Sequence, residues 1–144
     1  MATRTNDPLV SFNFKVEIEG ITVGDFAEVT GLGSTIESID YREGGENTTV
    51  RKLPGKTTYS DIVLKRGTTK GDNTLYDWHR EVVSGVVTLR SGSIIVTDRQ
   101  GTEVLRYNFI NAWPKEFKPA DYNATASSVA TESVTFAHEG LEIG

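Results

Sequence analysis

The chain has no cysteine among its 144 residues. Disulfides and thiolate metal sites are therefore excluded, and the absence suits folding in a reducing cytoplasm. Histidine is almost as scarce. His79 and His138 are the two present, and neither belongs to an H-E-x-x-H run or another local metal-ligand spacing. No apolar run approaches the ~20 residues needed to span a membrane. The opening Met1 to Pro8 carries no apolar segment behind Arg4, so no secretory signal is read there. Positive charge is not in excess either. Twenty acidic and 15 basic residues leave a net charge of −5, which argues against a sequence-specific nucleic-acid surface. Internal repeats and low-complexity tracts are absent.

Catalytic signatures are missing as well. Gly55-Lys56-Thr57 imitates the end of a phosphate-binding loop, but Val50 stands where the first glycine is needed. Gly31-Leu32-Gly33 could open a dinucleotide fingerprint, but Ile36 occupies the third glycine position, and a bend between strands is the simpler reading. No serine sits in a G-x-S-x-G elbow. Carboxylates are plentiful, yet nothing singles out an acid–base pair. The sequons at Asn47 and Asn123 read as chance without a signal peptide. No enzyme activity, cofactor or metal is expected, and catalytic residues are assigned to none.

What is present is strand pattern. From Ser11 to Glu19, Phe12, Phe14, Val16 and Ile18 alternate with polar residues, so one face packs on a core and the other is polar. Ile21 to Val29 is strand-like, and Thr35 to Tyr41 follows, with Ile39 and Tyr41 on one face. Tyr59 to Arg66 returns to a strand in which Ile62 and Leu64 face one way. Between these strands, Arg42 to Thr58 carries mixed charge, Gly44-Gly45 and the turn dipeptide Pro54-Gly55. It reads as a long polar loop or an extended hairpin arm.

One helix is predicted, with Leu75, Trp78, Val82 and Val83 on its apolar face. Thr74 with Asp77 fits a capping box, Asp72 or Asn73 could cap instead, and Gly85 ends the helix. Trp78 is expected in the core; Trp113 anchors a crossing loop or sits in an interface. Ile94 to Val96, the turn-like Asp98 to Gly101, and Glu103 to Ile110 read as a hairpin with Leu105, Tyr107 and Phe109 on one face. Asn111 to Asn123, with Trp113-Pro114 and Lys118-Pro119, reads as an irregular crossing. Ser128 to His138 is the last strand. The sum is roughly six to eight strands and one helix, a mainly β antiparallel sandwich or barrel with one flanking helix, in a single domain over 1–144.

Several segments resemble the inner-tube proteins of extracellular contractile injection systems, relatives of phage tail-tube proteins. They are Asp7-Pro8-Leu9-Val10-Ser11-Phe12-Asn13-Phe14-Lys15-Val16-Glu17-Ile18 and Phe26-Ala27-Glu28-Val29-Thr30-Gly31-Leu32. The most specific is Tyr41-Arg42-Glu43-Gly44-Gly45-Glu46-Asn47, continued by Val50-Arg51-Lys52-Leu53-Pro54-Gly55 and Leu64-Lys65-Arg66-Gly67. Tyr107-Asn108-Phe109-Ile110-Asn111-Ala112-Trp113-Pro114 and Ala137-His138-Glu139-Gly140-Leu141 complete the match, in order over nearly the whole chain.

The resemblance implies a barrel-like protomer similar to the Hcp tube protein of type VI secretion. It implies hexameric rings stacked into a tube, a contractile sheath outside, baseplate and spike proteins at the end, and a cargo effector in the lumen. Such a chain is made in the bacterial cytoplasm and resides in a tail-like particle. On that reading, Arg42, Glu43, Glu46, Arg51 and Lys52 are the expected inter-ring contacts. Asn13, Lys15 and Glu17 are the expected polar lumen face, though an ordinary solvated sheet face reads the same way. The alternatives are a tube-initiating ring subunit beside the baseplate or spike, a monomeric β-sandwich binding module and a small carboxylate hydrolase.

Overall fold

The computed structural model describes residues 13–42, 50–67, 73–120 and 130–144. In chain order they form β1 (Asn13–Ile18), β2 (Ile21–Phe26), β3 (Glu28–Thr30), β4 (Ser34–Tyr41), β5 (Arg51–Tyr59) and β6 (Ile62–Gly67). The helix α1 (Thr74–Val83) follows, then β7 (Arg90–Thr97), β8 (Glu103–Lys118), β9 (Thr131–Ala137) and β10 (Gly140–Ile143).

Period-two alternation sets the body. In β1, Val16 and Ile18 are buried while Asn13, Lys15 and Glu17 are exposed. In β6, Ile62, Leu64 and Arg66 turn inward; in β9, Glu132, Val134 and Phe136 do the same. All pairings are antiparallel, in the order β2-β1-β7-β8-β9-β6-β3. The two ends of that ladder are one stretch of chain. Only Ala27 separates β2 from β3, and its N–H donates to Lys65 O in β6 at 2.9 Å. The sheet therefore returns on itself as a barrel, which removes most of its open edges.

β8 is the long stave. Its first half pairs with β7 and β10, and its second half with β9. It bends between them, where Asn111 has φ 50 and the register shifts between Pro114 and Glu116. Such a shift raises local twist and re-aims the strand. Gly31, at φ 85, makes the turn out of β3; a Cβ there would run into the Asp61 carbonyl oxygen, so only glycine fits.

α1 packs on β8 and also touches β2, staves on opposite sides of the ladder, and so covers one end of the barrel. Its Leu75 and Trp78 join the core with Val16, Ile94, Phe109 and Phe136. Trp78 is 1% exposed, lies 5.2 Å from the Phe136 ring, and donates from Nε1 to Thr88 O at 3.1 Å.

Several expectations are corrected. There are ten strands among the described residues rather than six to eight. Residues 111–118 are not an irregular crossing but the continuation of β8; Pro114 is buried there beside the register shift, where a missing N–H is tolerated. Pro54-Gly55 is no turn: it lies inside β5 at a bulge opposite Ile36 to Ser38. Tyr59 ends β5 and does not start β6. Val83 is 72% exposed, outside the buried face of α1, and Asn73 is the N-cap without a side-chain cap bond. Gly85 does end the helix, at φ 99, with its N–H on Val82 O.

Candidate assembly surfaces

The arm is a two-stranded ribbon of β4 and β5, paired from Ser34↔Tyr59 out to Tyr41↔Arg51. It is rooted where Tyr59 meets the His138 ring at 5.6 Å, and where His138 Nε2 lies 2.9 Å from Ser60 O. The ribbon has two unlike faces. Strand alternation puts Ile39, Tyr41, Leu53 and Arg51 on one, and Ser38, Asp40, Lys52 and Pro54 on the other. Gly55 lies under Ile39, whose side chain crosses where a Cβ would stand. Every residue of β4 is exposed. A two-stranded ribbon alone is at best marginally stable in water, so an arm with an apolar face calls for a covering surface.

Of the expected contact residues, Arg42, Arg51 and Lys52 lie at the outer end of this ribbon, all exposed. Glu43 and Glu46 lie outside the described residues. The sequence reading weighed the charges of this segment. It missed that Leu53 joins Ile39 and Tyr41, because the bulge at Pro54-Gly55 sets the phase of β5 against β4.

Asn13, Lys15 and Glu17 lie on one mostly polar sheet face. The register aligns Asn13 with Thr97 and Glu103, Lys15 with Ile95 and Arg106, and Glu17 with Ser93 and Asn108. Asp25 lies beside Lys15, and Glu142 beside Asn108. Two cations and four carboxylates give this face a net charge of −2. Arg106 bridges it, 2.7 Å from Glu103 and 3.7 Å from Glu17, and Ser93 Oγ donates to Asn108 Oδ1 at 2.6 Å. The Arg106 hydrogen bond holds the Glu103 carboxyl below its ordinary range. Its contribution is present at neutral pH and lost as pH falls through that lowered value, but an exposed pair adds little.

No group of three or more His, Asp or Glu side chains could hold a metal ion among the described residues. His79 donates from Nδ1 to Pro114 O at 3.1 Å and stacks on Phe117, a helix-to-barrel contact. Trp113 is partly buried. No helix among the described residues is long and apolar enough to cross a membrane.

Residues 10–142 match the family described as T4-like virus tail tube protein gp19. The chain belongs to that family. It is a structural, non-enzymatic family, and the tail-tube fold recurs in solved structures of low identity. A chain of the sheath–tube complex of the PVC extracellular contractile injection system, in the extended state, superposes with a TM-score of 0.81 at 26% identity, over 97% of this chain and 92% of that one. A chain of the sheath/tube terminator of the same system gives 0.81 at 26% identity, over 99% of both. Hcp1 from Flavobacterium johnsoniae shares the fold, at 0.56 and 14% identity over 92% of this chain and 94% of that one. A comparison with curated protein sequences found no match. This chain is thus a tail-tube family protein with a mainly β fold and one short helix.

Proposed function

We propose that the chain is the repeating subunit of an inner tube, forming hexameric rings that stack inside a contractile sheath and conduct cargo passively. The arm carries this reading: a projecting ribbon with an exposed apolar face needs a partner, and another copy of the chain supplies one at every level of a tube. Contacts between unlike patches close into rings when the rotation fits, and ring-on-ring contacts then extend without limit. The polar face bearing Asn13, Lys15 and Glu17 lines the lumen, where it offers cargo no apolar patch. Sheath protein lies outside the tube, baseplate or spike proteins at its end, and the particle is released as a tail-like body.

Negative-stain microscopy of the purified chain over a concentration series, with sedimentation velocity, tests the proposal. Stacked six-fold rings are the expected result. Single rings that never stack would favour an initiating or terminating subunit, a reading that the equal likeness to the terminator chain supports. A monomer at every concentration would return weight to a binding module.

Reversing two charges at the arm's outer end, Arg51→Glu with Lys52→Glu, is expected to leave the monomer folded and abolish tube growth. Electrostatic complementarity sets register at such contacts more than affinity. Long tubes from this variant would remove Arg51 and Lys52 from the inter-ring contact.

A further inference from the structure

A second exposed apolar patch lies at the end of α1 and just after it. Val83, Val86, Val87 and Leu89 are all exposed, in a stretch of seven residues. This is the reverse of what water selects, since a clustered apolar patch on a folded surface marks a contact site. The stretch is also held in place. The Thr88 carbonyl oxygen accepts from the buried Trp78 Nε1. Val86 N–H bonds to Glu81 O at 2.9 Å. Residues 86–89 belong to no helix or strand ladder among the described residues.

Charge agrees with shape. The arm face that carries Ile39, Tyr41 and Leu53 also carries Arg51, with Arg42 next to Tyr41. Beside the valine strip, Asp77 and Glu81 line a surface recess of about 320 Å³ with Arg80 and Ser84. Neither carboxylate is in an ion pair among the described residues.

We propose that the apolar face of the arm on one copy packs along residues 83–89 of a neighbouring copy, with Arg51 set against Asp77 and Glu81. This rests on the tube reading and names the surface that receives the arm. The contact is between two unlike patches of one chain. Each copy therefore gives one arm and accepts one, and assembly propagates instead of ending at a two-fold dimer.

The native chain has no thiol, so single cysteines can be placed cleanly. Leu53→Cys and Val87→Cys, made singly and together, are treated with a short bis-maleimide after assembly. The expected result is a ladder of covalent multimers from the double variant. Only dimers should form from an equal mixture of the two singles, and no product from either single alone. Dimers from Leu53→Cys alone would show arms meeting arms and overturn the proposal. Rings or tubes of the double variant without a ladder would overturn it too, while leaving the tube reading intact. If the native chain itself stays monomeric at every concentration, both fall. As a second check, Val87→Asp is expected to abolish multimers while its folded spectrum is unchanged; tubes from that variant would also overturn the docking.

Discussion

Glu132→Ala is expected to cost about 3–5 kcal/mol of folding stability, because it leaves a buried guanidinium without its carboxylate. Arg66 and Glu132 face each other across β6 and β9, with Nε to Oε1 at 2.8 Å, and both are nearly inaccessible to water. They point inward with Leu64 and Val134, and the Arg66 guanidinium lies 5.3 Å from the Phe26 ring centre. The attraction of such a pair roughly offsets the desolvation of its two charges, so its net worth is small while both are present. Removing Glu132 takes that attraction away while the Arg66 guanidinium stays buried. A Glu132→Leu, Arg66→Met double variant should therefore be markedly more stable than Glu132→Ala. Urea denaturation followed by circular dichroism checks this, at concentrations low enough that assembly adds no apparent stability. A loss below about 1 kcal/mol for Glu132→Ala would mean that water reaches the pair.

Trp78→Ala should cost a comparable amount, about 3–5 kcal/mol, from lost burial and the cavity left behind. The indole fills the end of the barrel against Phe136, and the Arg90 guanidinium lies 5.7 Å from its ring centre. It also holds the backbone of residue 88. Trp78→Phe separates the two roles. It retains most of the ring packing and gives up the Thr88 hydrogen bond, a net loss of about 0.5–1.5 kcal/mol for that bond. Exchange of the Val86 amide, bonded to Glu81 O, should then speed up selectively, while the rest of the barrel stays protected. Equal acceleration throughout would show that the indole N–H does not pin this segment.

Most strands of the barrel were legible because they bury one face only; β7, buried on both faces from Ile94 to Thr97, is an exception. Phe14, Val16 and Ile18 announce β1, and Leu105, Tyr107 and Phe109 announce the inner face of β8. Proline obscured the rest. Pro54 and Pro114 both read as breakers, yet each stands at a register shift, where a strand can do without one N–H. The phase of β6 also held an unused signal. Arg66 falls in step with Ile62 and Leu64, and Glu132 in step with Val134 and Phe136, so an inward-facing ion pair was written in the alternation. Val83 misled in the opposite direction. It is apolar and sits at the flank of the helix stripe, but nothing among the described residues covers it. A single sequence read as a monomer has no place for an apolar residue whose partner is another molecule. That is also why the charged residues of the arm drew attention before Ile39, Tyr41 and Leu53 did.

The barrel and the arm meet at one narrow root, Ser34 opposite Tyr59, flanked by Gly33 and Ser60. No stave of the barrel pairs with β4 or β5. Length, charge and apolar content of the ribbon can therefore drift without repacking the interior. The tolerances differ accordingly: a methylene lost inside the barrel is felt at once, whereas, on the proposed docking, a residue exchanged on the ribbon is felt only when two copies meet. Mutational change in this chain should thus separate into two independent ledgers, one for whether the subunit folds and one for which neighbour it accepts. On the proposed docking, a ribbon grafted at residues 34 and 59 could redirect that choice while the barrel stays the same.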